Sequence, residues 1–157
     1  MVKSHSTSRF LDINNAVILT QTDTTVGLLS QNASQLREIK SRSDKKPFIK
    51  VFQNFQALKT QTIRIPKKRK NLVRRAKKTT FIVKNQALRV TLPSRNSQVL
   101  RNLLWSYSTS ANESAKPFSR GFCEQKADII IEDKEGLFEG QASKLYKINN
   151  LKIKRLR

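Results

Sequence analysis

Two groups of side chains in this 157-residue chain have types and spacings that could do chemistry together. One is Thr22-Asp23-Thr24-Thr25, three hydroxyls and a carboxylate in succession. The other is a set of cations shortly after it: Lys40, Arg42 and Lys46, the last followed by Pro47. Hydroxyls and cations donate to phosphate oxygens, and hard oxygen ligands suit a chelated Mg²⁺. The pairing therefore suits a ligand that bears phosphate and carries its own metal. A third stretch, Ser106 to Pro117, is crowded with small hydroxyls, and by composition alone it reads as a surface loop.

Other chemistries are poorly supplied. One cysteine, Cys123, cannot form an internal disulfide, and the one histidine, His5, lies in the first ten residues. Zinc centres, Cys/His triads and His-based proton transfer are disfavoured, and no direct metal ligation by side chains is expected. The glycines at 27, 121, 136 and 140 are too scattered for either glycine-rich nucleotide fingerprint. The net charge is +21, from 32 Lys plus Arg against 11 Asp plus Glu. Such a field attracts polyanions, although a solvated lysine-rich surface would give the same number. No apolar run approaches a membrane span and no secretory leader is visible, so the reading is a cytoplasmic protein with no membrane partner.

The elements that must position these groups are short. Ala16 to Leu19 reads as a buried strand delivering the Thr turn. Asn32 and Gln35 resemble a capping box opening a helix, with Leu36 and Ile39 on one face and Lys40 at its end. In that setting Lys40 and Arg42 could simply complement the helix dipole. Phe48 to Phe52 is a strand, and Phe55 with Leu58 a short helix. Pro66 could open a basic helix running to Lys78, with Leu72, Val73 and Ala76 facing the core. That helix could be a nucleic-acid contact or merely a solvated face. Thr79 to Val83 and Ala87 to Thr91 form a hairpin turned at Asn85-Gln86. A helix over Val99, Leu100, Leu103 and Leu104 ends at Trp105, a core anchor. Asp128 to Glu132 is a buried strand. A last hairpin turns at Asn149-Asn150, where Asn tolerates positive φ. Strands interleaved with short helices indicate an α/β fold with a mixed sheet, in one domain over 1–157 with 1–12 as a flexible tail.

In its order of motifs the sequence resembles the YrdC family of threonylcarbamoyl-adenylate synthases, which act in tRNA modification. Thr22-Asp23-Thr24-Thr25-Val26-Gly27-Leu28 is similar to that family's Thr-Asp-Thr-Val-Tyr-Gly-Leu turn. Lys40-Ser41-Arg42 and Lys46-Pro47 match its spaced cations, Thr80-Phe81 and Arg89 its next strands, and Ser110-Ala111-Asn112 its Ser-Ala-Asn signature. Gly140-Gln141-Ala142-Ser143 resembles its small-Ser segment. The chain departs from the pattern at Val26 (Tyr in the family), at Ser41 and Ala115 (Gly), at Ser43 (Pro), and at Ala76-Lys77-Lys78 (Pro-Gly-Pro).

The resemblance implies a YrdC-like open, twisted mixed sheet with flanking short helices and a concave basic face. It also implies condensation of L-threonine, bicarbonate and ATP, with Mg²⁺ carried by the ATP, to threonylcarbamoyl-AMP and pyrophosphate. Lys40 and Arg42 would be catalytic; Lys46, Arg89, Ser110 and Asn112 would bind ATP phosphates; Thr22, Thr24 and Ser143 would hold threonine. Arg155 is a weaker candidate for the job of Arg89. tRNA or tRNA-modification proteins would be the partners. The alternative is a YrdC-like module that binds RNA without synthesis.

Overall fold

The computed structural model describes residues 2–4, 12–41, 47–91 and 103–157. Its strands are β1 (Val2–Ser4), β2 (Ile18–Gln21), β3 (Val26–Ser30), β4 (Ile49–Phe52), β5 (Thr79–Val83), β6 (Gln86–Val90), β7 (Trp105–Ser110), β8 (Ile129–Ile131), β9 (Lys144–Ile148) and β10 (Ile153–Arg155). They make one mixed sheet in the order β1-β8-β2-β3-β7-β4-β6-β5-β9-β10. The pairs β2/β8, β4/β6 and β5/β9 are parallel and the rest antiparallel. The helices are α1 (Ala33–Lys40), α2 (Phe55–Lys59), a 3-10 turn (Lys67–Arg69) running into α3 (Lys70–Arg75), and α4 (Arg120–Lys126).

Side chains alternate across a strand, so register assigns the faces. Phe52, Phe81, Val83, Leu88 and Val90 pack under α2 and α3 with Phe55, Leu58 and Val73. Leu19, Val26, Leu28 and Ile130 pack under α1 and α4 with Leu36 and Cys123. Trp105 and Tyr107 of β7 join the two clusters on that same face, their rings edge to face at 5.3 Å. The helices thus cover one face. The opposite face carries a smaller cluster around Ile18, Leu29 and Ile129 and, further along, Arg89 and Thr80. The opposite face is thus closed by apolar packing at the β8-β2-β3 end and polar where Arg89 and Thr80 stand.

Several expectations need correction. The stretch Ser106 to Ser110 is no loop: it is β7, inserted between β3 and β4. Trp105 opens that strand, against the expectation that it ends a helix, and Leu103 and Leu104 before it are not helical; Val99 and Leu100 lie outside the described residues. Leu72 is 40% exposed because α3 begins only at Lys70 and turns Val73 inward. Asn32 does cap α1, accepting from Ser34 N and Gln35 N. The reciprocal half of the capping box is missing, since Asn32 N donates to Ser30 Oγ instead. The β5–β6 turn falls at Lys84-Asn85, both with positive φ. Asn149 does not adopt positive φ; its Oδ1 accepts from Leu151 N and Lys152 N and shapes the turn that way. Val2–Ser4, within the expected tail, pair with β8.

Two of the positions where the resemblance expected glycine have a backbone that favours it. Ser41, which ends α1, has φ 45°, and Ala115 has φ 62°. Both lie in the left-handed region, where a Cβ costs energy.

Candidate functional site

The Thr turn between β2 and β3 is built by its own hydroxyl. Thr22 Oγ1 accepts from Thr24 N and Thr25 N and donates to Thr25 O at 2.7 Å. One donor and two acceptor positions are thereby used, so Thr22 serves the turn before any ligand. Gly27 follows because a Cβ there would meet Thr22 Cγ2 at 2.9 Å and Thr109 O at 3.1 Å. The loop after residue 137 clasps the turn from outside. Phe138 O accepts from Val26 N, and Gly140 N donates to Thr25 Oγ1. Gly140 has no room for a side chain: its Cβ would fall 2.0 Å from Thr24 O.

This clasp closes one side of a cavity of about 260 Å³ on the helix-free face, near the small end of ligand pockets. Thr24, Ser110, Ser143, Arg89 and Arg157 are among its lining. Arg89, on β6, is buried. Its Nη1 donates to Thr24 Oγ1 at 3.0 Å and stands 3.5 Å from Asp23 Oδ1, in ion-pair range without a hydrogen bond between them. Burial pulls the Arg89 guanidinium down, Asp23 pushes it back up, and Arg157 pulls it down again. Arginine starts so high that it stays cationic regardless. Arg157 is steered by Ser143, whose carbonyl accepts from its Nε at 3.1 Å, and Ser143 Oγ meets Thr80 Oγ1 at 2.9 Å. The charged side chains on the cavity lining are thus two guanidiniums and no carboxylate. That combination, with hydroxyls between, selects a small anion.

Beside the cavity, Lys40 at the end of α1 is 6% exposed. Its Nζ donates to Ser110 O at 3.1 Å and to both the backbone O and Oδ1 of Asn112. Ser110 Oγ also donates to Asn112 Oδ1, and Asn112 Nδ2 donates to Lys116 O. Three ammonium protons meet three oxygens, so Lys40 fixes the Ser110-Ala111-Asn112 bend from beneath.

Of the residues singled out from sequence, Thr22, Thr24, Arg89, Ser110 and Ser143 share one cavity, and Lys40 with Asn112 adjoin it. Arg42 and Lys46 lie outside the described residues. Arg155 is exposed on the edge strand, its Nε donating to Arg157 O. Val26 points into the core under α1, away from the cavity. Thr25 and Arg157 were missed. Thr25 could have been read from the hydroxyl run, whereas nothing in the spacing separates Arg157 from its neighbours Lys154 and Arg155.

A family model named for Sua5, YciO and YrdC, described as "Telomere recombination", matches residues 13–157. Among curated proteins no sequence match was found. Solved structures share the fold. The H234A/Y235A variant of P. abyssi Sua5 aligns with a TM-score of 0.70 at 19% identity, covering 90% of this chain and 49% of that one. P. abyssi Sua5 complexed with L-threonine gives 0.65 at 18% identity, covering 90% and 50%. Full-length HypF in a phosphate- and nucleotide-bound form gives 0.65 at 17% identity, covering 100% and 25%. The chain therefore spans about half the length of Sua5 and a quarter of HypF.

Proposed function

The chain belongs to the Sua5/YciO/YrdC family, and on that footing we propose that it is an L-threonylcarbamoyladenylate synthase serving tRNA threonylcarbamoyladenosine modification. The observation that carries the reading is the cavity with two guanidiniums and a ring of hydroxyls, backed by the Lys40-held Ser110–Asn112 bend. A related protein solved with L-threonine and another solved with nucleotide and phosphate support the same substrate classes.

The reaction would proceed in two displacements. Threonine nitrogen attacks bicarbonate carbon, and water leaves to give the N-carboxylate. A carbamate oxygen then attacks the α-phosphorus of Mg·ATP, and the bond to the pyrophosphate oxygen breaks. Neither displacement needs a protein nucleophile; both need the reactants aligned and the accumulating negative charge opposed. Arg89 and Arg157 would hold the threonine carboxylate or a phosphate, Thr24 and Ser143 would orient the amino acid, and Ser110 would turn its one hydroxyl proton from Asn112 Oδ1 to a phosphate oxygen on binding. Lys40 acts as a positioning residue, holding Ser110 and Asn112 in register. Mg²⁺ enters with ATP as part of the substrate and offsets phosphate charge. A cytoplasmic location accompanies this reading; no helix among the described residues is long and apolar enough to cross a membrane.

The test is pyrophosphate release by the purified chain with Mg·ATP. Release that requires both L-threonine and bicarbonate supports the synthase. Release without threonine, or with carbamoyl phosphate in place of both, assigns a different acyl-adenylate chemistry. No release under any combination leaves the RNA-binding module as the better reading.

A further inference from the structure

The strand order ends at β10, with no described strand beyond it. Three of the six large apolar side chains exposed among the described residues lie there: Leu151 at 85%, Ile153 at 43% and Leu156 at 46%. Exposed apolar residues scattered singly are ordinary, but three beside an open strand edge make a surface. Exposed cations are interspersed with them, Lys152, Lys154 and Arg155. No Asp or Glu follows Glu139, and among the described residues no ion pair reaches the β9–β10 hairpin.

Register fixes which backbone groups of this edge are unused. Lys152 O accepts from Asn149 N, and Leu156 N donates to Leu145 O. Ile153 stands opposite Ile148, Lys154 opposite Lys147 and Arg155 opposite Tyr146. Hydrogen-bonded and non-hydrogen-bonded pairs alternate in an antiparallel ladder, so residues 152, 154 and 156 turn their backbone groups to β9. The N–H and C=O of Ile153 and of Arg155 therefore point to the open side. Cross-strand partners share a face, so Ile153 lies on the helix side beside buried Ile148, and Lys154 lies on the other side. The hairpin is braced from the helix side: Arg69 donates to Asn149 O and Leu151 O, which fixes the turn before the edge.

We propose that β10 is a docking edge for an acidic extended peptide of another protein, which adds to the sheet as a further antiparallel strand. The proposal goes beyond the synthase reading and does not depend on it. Strand addition draws affinity from main-chain hydrogen bonds, here to Ile153 and Arg155, and specificity from alternate side chains. The register asks for an apolar residue opposite Ile153 and carboxylates opposite Lys152, Lys154 and Arg155, each an opposite-charge cross-strand pair. A second copy of this chain is the wrong occupant. Pairing β10 with itself would set Lys154 and Arg155 among the same cations, and lysine on an edge strand excludes self-pairing for that reason. The feature that refuses a copy selects a partner of opposite charge. An RNA backbone would meet the cations but leave the outward N–H and C=O groups and Ile153 unmatched.

The experiment is amide hydrogen exchange of the whole chain, read by nuclear magnetic resonance, with the capped peptide Thr-Glu-Glu-Val-Glu-Thr. Its Val falls opposite Ile153 and its first Glu opposite Arg155. At a peptide concentration about ten times its dissociation constant, exchange at Ile153 and Arg155 should slow by about 10-fold, while Lys154, already bonded to β9, changes little. Methylating the peptide nitrogens of Val and the first Glu should abolish the effect. Methylating the nitrogen of the Glu between them, which points to solvent, should leave it. Lys152→Glu/Lys154→Glu should weaken binding by at least about 5-fold. Lys126→Glu/Lys134→Glu, the same charge change at exposed positions away from this edge, should leave it within about 2-fold. The methylated peptides carry the test should the edge variant not fold. No slowing at Ile153 and Arg155 overturns the proposal, as does equal loss whichever nitrogen is methylated or whichever lysine pair is reversed. So does the same protection from polyuridylate in place of peptide, or from raising the protein concentration alone.

Discussion

Replacing Gly140 by Ala tests the clasp that closes the cavity, independently of what the cavity binds. A Cβ at position 140 would lie 2.0 Å from Thr24 O and 3.1 Å from Thr24 C, both backbone atoms, where real contacts stay beyond 3.0 Å. The loop must therefore lift by about 1 Å, stretching the Gly140 N to Thr25 Oγ1 and Val26 N to Phe138 O hydrogen bonds. Overpacking of this kind costs about 1–3 kcal/mol. For a domain of this size that is a melting temperature lower by about 2–12 °C. Gly121→Ala is the matched control: the same methyl is added inside α4, with nothing within 4 Å. It replaces a glycine in the first turn of α4 by a better helix former and should stabilise by up to about 1 kcal/mol, raising the midpoint by up to about 4 °C. Thermal unfolding by circular dichroism reads both. A Gly140→Ala midpoint at or above the parent's would refute the close approach of the loop to the Thr turn. If synthesis is confirmed, the same 1 Å shift of Ser143 should cost about 100-fold in kcat/KM.

Arg89→Lys keeps the charge but loses the fork. The forfeited charge-assisted hydrogen bond, about 1.5–3 kcal/mol, predicts a 10- to 150-fold fall in threonine-dependent pyrophosphate release at about unchanged fold, read by steady-state kinetics. Ser41→Gly and Ala115→Gly should each stabilise by about 1 kcal/mol, because the backbone is left-handed at both positions; urea midpoints check this. Burial pushes the Cys123 thiol up, with the Lys40 charge opposing it. The folded state therefore holds the neutral thiol while the unfolded chain ionises first, and this stabilisation is complete below the free-thiol range of about 8.5 and declines as pH rises through it. At pH 8.5 a thiol reagent should label Cys123 slowly in buffer and rapidly in denaturing urea.

Much of the site was legible because its pieces sit at strand and helix ends, where sequence signals are strongest. The Thr turn, the end of α1 at Lys40 and the strand bearing Arg89 fall where the pattern of apolar and polar residues puts them. β7 was obscured because serine is a poor strand former in isolation. Its alternation was present nonetheless: Trp105 and Tyr107 face the helices, while Ser106, Ser108 and Ser110 alternate with them on the other side. Composition outweighed period there. The role of Lys40 was half legible. Its place at the helix end follows from the sequence, but that three oxygens of a bend seventy residues away take its protons is a tertiary fact. The exposure of Leu72 and the reach of Arg157 likewise depend on how segments dock, which local pattern does not encode.

The position of β7 also constrains the order in which the chain can assemble. The β2–β3 hairpin is complete by Ser30 and the β4-β6-β5 unit by Val90, yet neither touches the other in the sheet until residues 105–110 slot between them. As the chain leaves the ribosome, two small sheets must wait, each with an open edge, for the strand that joins them. Such long-range pairing is slow to nucleate. The same strand brings Ser108 and Ser110 to the cavity, and Ser143 and Arg157 reach it later still, so a nascent chain stopped short of β7 would hold neither a continuous sheet nor a site.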